Sequence, residues 1–175
     1  MNVRFSAINI VKLCTILLCL TSLSGCWFYS FTGASIPPEA KTFSVANFSN
    51  MAQEATLPGL TNRLTEELKD RFLKQTRLSL IQAEGDFAFE GQVVSYIHGP
   101  VAITSDDLAA KERLTITIKV IFRNRYDDAT SFDKTFSQYA EYETTTSFAS
   151  AESGLVEEII EKLTEDIFNA SAANW

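Results

Sequence analysis

Few side chains in this chain of 175 residues could carry chemistry, and they are widely spaced. The single histidine, His98, has no second histidine or nearby cysteine to complete a metal site, and Gly99-Pro100 beside it predicts a surface or turn position. The acid pairs Asp106-Asp107 and Asp127-Asp128 lack the alternating oxygen spacing of a calcium loop and are interpreted as solvated turns. We therefore predict no metal and no cofactor.

Motifs typical of enzymes are also missing from the sequence. It contains no glycine-rich phosphate loop, no nucleophile elbow and no carboxylate pair at an interpretable spacing, so we predict no catalytic residue. The composition, 46% hydrophobic and 21% charged, is that of one globular domain. A net charge of −7 disfavours nucleic acid as a partner, because phosphate binding needs an electropositive surface.

The N-terminal segment has the pattern of an export signal. Arg4 and Lys12 are its only charges, and the apolar run Leu13–Leu20 is too short for a spanning helix, which needs roughly 18–20 residues. The following tetrapeptide, Leu23–Cys26 (LSGC), resembles a bacterial lipobox. That resemblance implies removal of residues 1–25 by cleavage between Gly25 and Cys26, a diacylglyceryl thioether on Cys26 and acylation of the new N-terminus. Several acyl chains would anchor the protein firmly in a membrane.

Processing would change the composition of the chain. The mature form would have 150 residues, with 13 Lys+Arg against 22 Asp+Glu and a net charge of −9. Cys14 and Cys19 would be lost with the signal peptide, which leaves no free thiol for a disulfide or a metal. Residues 26–40 are predicted to be a lipidated N-terminus and extended lead-in, and residues 41–175 a single domain.

The residues after Cys26 bear on the destination of the protein. Trp27–Ser30 contains no acidic residue, which resembles the default outer-membrane address of bacterial lipoproteins, facing the periplasm. The aromatic side chains Trp27, Phe28 and Tyr29 suit a membrane interface. Packing of these rings on the domain itself is an equally good interpretation.

The first half of the domain predicts a strand, a helix and two further strands. Thr42–Phe48 alternates as a strand, Leu57–Gln75 is an amphipathic helix, and Leu78–Gln82 is compatible with a short strand that the element order given below does not include. Phe87–His98 alternates as a longer strand. The predicted core side chains are the helix stripe Leu60, Leu64, Leu68 and Phe72, and one strand face with Phe87, Phe89, Val93 and Ile97.

The second half predicts an antiparallel pair of strands and a second helix. Arg113–Arg123 has an apolar face of Leu114, Ile116, Ile118, Val120 and Phe122, and Phe132–Tyr142 pairs with it, with imperfect alternation that suggests a bulge. Ala151–Ala170 is amphipathic, and Gly154 favours a helix start later in that range. One-sided strands and helices in this order predict an α+β fold, a two-layer sandwich of one sheet against two helices (β-α-β-β-β-α).

Charge is unevenly distributed over these elements. Residues 111–125 hold five basic side chains against one acidic, whereas residues 151–170 hold six acidic against one basic. Solvated faces explain this segregation. A basic anion-contact surface on an acidic body explains it too.

Several sequence blocks, in order along the mature chain, carry a family resemblance. They are Tyr29–Gly33 (YSFTG), Ser35–Pro38 (SIPP), Phe72–Leu78 (FLKQTRL), Gly85–Gly91 (GDFAFEG), Arg113–Thr117 (RLTIT), Glu165–Phe168 (EDIF) and Asn174-Trp175. With the lipobox, they resemble the LptE-type lipopolysaccharide-assembly lipoproteins, particularly the Bacteroidota form. Trp27 departs from the small residue expected after the lipidated cysteine.

The resemblance implies a fold and a role. It implies two helices against a mixed sheet of about four strands, in a plug that sits inside the outer-membrane β-barrel LptD and assists its assembly. Such proteins are proposed to bind lipopolysaccharide and perform no catalysis. We expect Arg113, Lys119 and Arg123 to contact anionic lipid-sugar or acidic barrel residues, because their strand is the basic one.

The alternative is a periplasm-facing outer-membrane lipoprotein that binds a small ligand or scaffolds another envelope complex. The helix stripes and inward strand faces use nearly all large apolar residues of the chain, which leaves little for a ligand pocket.

Overall fold

Two helices cover one face of a mixed six-stranded sheet in the computed structural model, which describes residues 36–52, 57–101 and 111–173. The predicted signal peptide 1–25, the Gly25–Cys26 cleavage site, lipidation at Cys26 and the lead-in before residue 36 lie outside the described residues. The helices are α1, Leu60–Gln75, and α2, Phe148–Ser171. The strands are β1 Thr42–Val45, β2 Ser49–Asn50, β3 Ser79–Leu80, β4 Phe87–Pro100, β5 Lys111–Asn124 and β6 Phe132–Glu143.

The sheet combines parallel and antiparallel pairing in the order β3-β1-β4-β5-β6, with β2 also beside β4. β1 runs parallel to β3 and β4, and β4, β5 and β6 form an antiparallel meander. The α+β two-layer prediction is confirmed. The sheet has six strands instead of about four because it includes β2 and β3, which have only two residues each.

The predicted strand Thr42–Phe48 is divided in the structure. β1 pairs with Phe87–Phe89 of β4, and β2 pairs further along with Gln92 and Val93. Between them the Phe48 backbone N–H donates to Thr65 Oγ1 of α1 at 3.1 Å instead of to the sheet. The Thr65 hydroxyl on α1 therefore accepts the hydrogen bond that a neighbouring strand would otherwise accept at this point.

The helix stripes form the core as predicted. The predicted stripe of α1 is at most 3% exposed, and the apolar stripe of α2, formed by Val156, Ile159, Leu163 and Ile167, is fully buried. Phe72 lies at the junction of three elements, with ring centroids 5.4 Å from Phe43, 4.9 Å from Phe89 and 5.1 Å from Phe168. Because aromatic rings bury large apolar areas, this cluster joins α1, β1, β4 and α2.

Both helices begin where tertiary contacts or backbone geometry require. α1 begins at Leu60 rather than Leu57, after Gly59, whose φ of +82° lies in the left-handed region that favours glycine. α2 begins at Phe148, so the expected late start near Gly154 is wrong. The ring of Phe148 stacks on His98 at 4.0 Å, a contact that stabilises the first turn.

A bulge in β4 changes which side chains face the helices. The β4–β5 register shifts between Val93 and Ser95, so Tyr96 is 4% exposed and Ile97 is 57% exposed. The prediction that Ile97 shares the buried face of Phe87, Phe89 and Val93 is therefore wrong. The bulge expected in β6 is absent as well, because β6 pairs with β5 in unbroken register from Phe132 to Glu143.

The face of β4, β5 and β6 away from the helices, which we call the outer face, carries mostly polar side chains. Cross-strand pairing places its residues in rows: Gly99–Arg113–Glu141, Ile97–Thr115–Tyr139, Ser95–Thr117–Ser137, Gln92–Lys119–Thr135, Glu90–Ile121–Asp133 and Ala88–Arg123.

No helix within the described ranges is long and apolar enough to cross a membrane.

Candidate functional site

The three basic residues singled out in the sequence share the outer face of β5. Arg113, Lys119 and Arg123 alternate with the fully buried residues of that strand, so they point away from the helices. At about 3.3 Å per residue, Arg113 and Arg123 are separated by about 33 Å along the strand. The three side chains form a stripe rather than a single pocket.

Two of the three basic side chains are paired with carboxylates of β6. Arg113 Nε donates to Glu141 Oε1 at 3.0 Å, and Lys119 Nζ lies 3.0 Å from Asp133 Oδ2. Both carboxylates lie on β6, and the register between β5 and β6 was not predictable from the sequence. The sequence therefore showed only the excess of basic residues on β5. In the folded protein, most of that excess is balanced locally.

Arg123 differs from the other two. It is exposed and makes no ion pair with any residue in the described part of the chain. Its neighbour Arg125, just after the end of β5, lies 3.7 Å from Asp86. Arg123, like Lys111 at the other end of β5, is thus an outer-face cation without a carboxylate partner in the described part of the chain.

An apolar and aromatic element lies beside the basic stripe and was missed in the sequence. Ile97 and Tyr139 flank Thr115 in one cross-strand row and are 57% and 46% exposed. The Arg113 guanidinium lies 4.0 Å from the centroid of the Tyr139 ring. The β4 bulge, which turns Ile97 outward, has no clear sequence signal, so periodicity alone could not have found this element.

Hydroxyl side chains occupy the middle of the outer face. Thr117 Oγ1 and Ser137 Oγ are 2.9 Å apart in adjacent strands, with Ser95 in the same row. Next to this row, a shallow cleft of about 200 Å³ is lined by Ser49, Glu90, Gly91, Gln92, Lys119 and Ile121. The centre of this face is polar but carries little net charge.

The helix side of the molecule is acidic. An open groove of about 420 Å³ lies between α1 and α2, where five acidic side chains face one arginine, Arg63. Arg71 joins the helices, because its Nε donates to Thr164 Oγ1 at 3.2 Å and its Nη2 to the Glu161 carbonyl at 3.2 Å. No group of three His, Cys, Asp or Glu residues suited to a metal ion occurs in the described segments.

His98 belongs to a hydrogen-bonded cluster at one end of the sheet. The predicted surface position is confirmed, because His98 is exposed, but the residue lies in β4 rather than in a turn. The bulge directs its side chain to the helix side of the sheet. Its Nε2 is 2.8 Å from Glu112 Oε2 and 2.9 Å from Tyr142 Oη, and the Tyr142 hydroxyl donates to the same carboxylate. The three side chains connect the ends of β4, β5 and β6.

Hydrogen bonding shifts the pKa values in this cluster. The bond from Tyr142, and then the bond from His98, holds the pKa of Glu112 below its usual value. Desolvation, together with the neighbouring Glu112 carboxylate, raises the pKa of Tyr142 to about 12. Because these hydrogen bonds tie the ends of three strands together, we assign the cluster a structural role.

The paired acids are partly described. Asp127 Oδ1 accepts a hydrogen bond from the Ala129 N–H at 3.2 Å and begins a short 3₁₀ helix, Asp128–Thr130, which confirms the turn interpretation. Asp106-Asp107 lies outside the described residues. Near Asp127, an open cleft of about 290 Å³ has mixed polar and apolar walls formed by Ile36–Pro38, Asn124, Thr130 and residues 170–173.

Comparisons with known proteins give a family and a fold. The family model LptE, described as lipopolysaccharide-assembly, matches residues 40–171. No curated protein sequence matches the chain. Among solved structures, a hypothetical protein of Chlamydia trachomatis is similar with a TM-score of 0.50, at 9% identity over 77% of this chain and 99% of its own. At this identity the likeness concerns the fold alone.

Two solved lipoproteins are less similar in structure. A minor lipoprotein from Acinetobacter baumannii has a TM-score of 0.47 and 18% identity, over 73% of this chain and 89% of its own. Rare lipoprotein B from Shewanella oneidensis has a TM-score of 0.45 and 12% identity, over 74% of this chain and 92% of its own.

Proposed function

Because this chain belongs to the LptE lipopolysaccharide-assembly family, we propose that it is an outer-membrane lipoprotein that plugs an LptD-like β-barrel and helps it to assemble. The observation that carries the proposal is the extent of the family match. Residues 40–171 include every strand and both helices of the described fold. The proposal therefore concerns the whole domain, residues 41–175, rather than one local motif.

Lipidation at Cys26 supplies the membrane attachment in this proposal. Ten residues along the chain separate Cys26 from Ile36, where the described fold begins with a segment bonded to Arg77, and an extended chain spans at most about 3.3–3.6 Å per residue. The tether therefore reaches up to about 35 Å. This length allows an anchor in the periplasmic leaflet while the domain occupies the lumen of a neighbouring barrel.

The surface of the domain suits a water-filled lumen. Outer-membrane barrels have polar interiors, and the outer face and both helices present polar or charged side chains. A mature chain with a net charge of −9 is poorly suited to carry anionic lipopolysaccharide freely through the periplasm. We propose instead that any direct contact with lipopolysaccharide is local and uses Arg113, Lys119 and Arg123.

We assign no catalytic activity to this protein. The alternative, a lipoprotein that binds a small ligand or scaffolds another envelope complex, has less support. The two clefts of about 420 and 290 Å³ are open and lined largely by charged or mixed side chains. Ligand pockets are more often concave and mostly apolar.

Affinity purification of the tagged, lipidated protein from detergent-solubilised outer membrane tests the proposal. We expect a large β-barrel protein to be recovered in equal amount. A variant with Cys26→Ala, which cannot be lipidated, serves as the control for membrane attachment. Recovery of folded, lipidated protein without any barrel would contradict the proposed function.

A further inference from the structure

We propose that the outer face of the β4–β5–β6 sheet, with Ile97, Tyr139 and Arg123 as its contact residues, is the surface that meets the wall of the partner barrel. This inference rests on the proposed function and identifies the face of the plug involved. The partner surface it requires is protein, polar over most of its area, with an apolar recess and an acidic side chain.

The exposed apolar side chains of the outer face support this assignment. Single exposed apolar residues are common on soluble proteins. Here Ile97 and Tyr139 share one cross-strand row, and the bulge residue Val94, 39% exposed, lies three positions before Ile97. Tyrosine and arginine are enriched at the energetically important centres of interfaces, and Arg113 adjoins this row.

The side chains of Arg113 and Tyr139 are already held in place in the free protein. Arg113 is bonded to Glu141 on one side and lies over the Tyr139 ring on the other, at 4.0 Å. Ordering a long side chain on binding costs roughly 0.5–1.5 kcal/mol. Because the stack exists in the free protein, a partner that contacts Arg113 and Tyr139 avoids most of that cost.

The charged side chains of the outer face tolerate being covered by a partner better than those of the helix side. Arg113 and Lys119 are each balanced by a carboxylate of β6, so covering them leaves no isolated charge. Burial of an unpaired charge is strongly unfavourable, and interface cores are depleted in glutamate and lysine. The helix side, by contrast, exposes Glu161 and Glu165 on α2 with no ion pair in the described part of the chain, beside Glu157 and Glu158, which pair with Arg63 and Lys162.

Arg123 defines the acidic part of the partner surface. It is exposed and has no carboxylate partner in the described part of the chain. It lies eight residues from Thr115, the centre of the Ile97–Tyr139 row, which corresponds to about 26 Å along β5. A barrel wall complementary to this face therefore has an apolar recess and, about 26 Å away, an aspartate or glutamate.

Site-specific photocrosslinking in intact outer membranes tests the inference with the full-length, lipidated protein. A photoreactive amino acid is placed at Ile97 and, as matched controls on the exposed helix side, at Glu158 and at Glu165. We expect a crosslink to a large barrel protein from Ile97, at least tenfold stronger than from either control.

The other outcomes separate the face from the function. Barrel crosslinks that are equal at all three positions, or come mainly from Glu158 and Glu165, overturn the choice of face while supporting the plug. Crosslinks from Ile97 only to lipid, to lipopolysaccharide or to a second copy of this chain also overturn it. If the tagged protein recovers no barrel at all, the proposed function itself fails.

Substitutions provide an independent measurement. Ile97→Asp changes an exposed side chain, so we expect the circular dichroism spectrum and the Tm to stay near those of the wild type. Barrel recovery in the affinity purification should fall at least tenfold. Glu165→Arg, a charge change on the opposite side, should leave recovery within about twofold. Equal recovery with Ile97→Asp and with the wild type contradicts the inference.

Discussion

Thr42 and Asp86 exchange two hydrogen bonds across 44 residues of sequence. The Thr42 hydroxyl donates to Asp86 Oδ2 at 2.9 Å, and the Asp86 backbone N–H donates to Thr42 Oγ1 at 3.1 Å. The same carboxylate oxygen accepts the backbone N–H groups of Lys41 and Thr42, at 2.9 and 3.1 Å, and Arg125 lies 3.7 Å from Oδ1. Asp86 thus joins the start of β1, the start of β4 and the end of β5.

Asp86→Asn should destabilise the fold at neutral pH. The backbone hydrogen bond from Lys41, with the side-chain and backbone hydrogen bonds from Thr42, outweighs desolvation and holds the pKa of Asp86 below its usual value. Hydrogen bonds to charged groups contribute about 1.5–3 kcal/mol each, and asparagine retains some of them. We expect the free energy of unfolding, measured by urea denaturation, to fall by about 1–3 kcal/mol at pH 7.

The pH dependence of this effect has a definite sign. A carboxyl whose pKa is lowered by folding contributes stability above its unfolded pKa, about 3.9, and loses it as the pH falls through the folded value. The difference between wild type and Asp86→Asn should therefore shrink below about pH 4. Asp133→Asn, at a carboxylate that is 53% exposed, is the control and should cost less than about 1 kcal/mol. A constant difference from pH 7 to pH 2 contradicts the assignment.

Gly91→Ala should destabilise the protein through the ring of Phe48. A Cβ on Gly91 would lie 2.2 Å from the nearest ring atom of Phe48, which is only 4% exposed and has little space to move. Overpacking of this kind typically costs about 1–3 kcal/mol. The measurement is again the free energy of unfolding, and Gly99→Ala, where a Cβ would meet nothing within 4 Å, should change it by less than about 0.5 kcal/mol.

A double-mutant cycle checks the cause. Phe48→Ala alone should cost about 3–5 kcal/mol, because it removes a buried ring. In the double variant Phe48→Ala/Gly91→Ala, the loss of free energy of unfolding should be smaller than the sum of the two single losses, because the clash no longer exists. Additive effects would show that Phe48 is not the obstacle.

Tyr142→Phe should raise the pKa of Glu112. The Tyr142 hydroxyl is the first cause of the lowered Glu112 pKa, with His98 second, so its removal leaves only part of the effect. Carboxyl chemical shifts measured by NMR over a pH titration report the change. Tyr126→Phe is the control, and an unchanged Glu112 titration in Tyr142→Phe would argue against the bond.

The same variant should also alter stability at alkaline pH. The pKa of Tyr142, raised to about 12, exceeds the unfolded value of about 10. Its contribution is therefore complete below about pH 10 and is lost as the pH rises towards 12. Wild type should lose stability over this range relative to Tyr142→Phe. Parallel pH profiles for the two proteins would count against this expectation.

Charge reversal at Arg113, Lys119 and Arg123 together should weaken outer-membrane barrier function and barrel recovery. The ion pairs permit a sharper comparison: Lys119→Asp combined with Asp133→Lys restores the pair within the sheet but moves the positive charge to β6. If position 119 contacts an anion, the swap should restore the Tm without restoring recovery. Triple reversal that leaves both functions intact excludes an anion-contact role for these residues.

Cys26→Ala should abolish the incorporation of palmitate into the protein. Removal of the thiol prevents thioether formation, so the acyl anchor is lost and only contacts with the barrel would hold the domain at the membrane. Metabolic labelling with radioactive palmitate followed by fractionation measures the effect, and Cys19→Ala within the predicted signal peptide is the control. Palmitate label that persists in Cys26→Ala places the lipid elsewhere.

The periodic parts of the fold were predictable from the sequence. The spacing of Leu60, Leu64, Leu68 and Phe72, and the alternation of β5, follow from the geometry of one helix and one strand. These patterns depend only on the spacing of residues within one element and on the burial of one of its faces. They were sufficient to predict the α+β sandwich and the face of β5 on which Arg113, Lys119 and Arg123 lie.

Interruptions of periodicity were not predictable. The bulge at Val93–Ser95 redirects Ile97 and His98 to opposite faces from those expected, and nothing in the local sequence distinguishes it from a regular strand. α2 begins at Phe148, whose ring stacks on His98, 50 residues earlier in the chain. Neither feature follows from the periodicity of its own segment.

The sequence by itself determined the two layers, the buried stripes, the family blocks and the basic character of β5. Only the tertiary structure decided that Glu141 and Asp133 balance Arg113 and Lys119, that Arg123 stays unpaired in the described part of the chain, and that Ile97 joins Tyr139 on the outer face. The physical reason is that local periodicity sets the face of a side chain, whereas its partners depend on the register between strands.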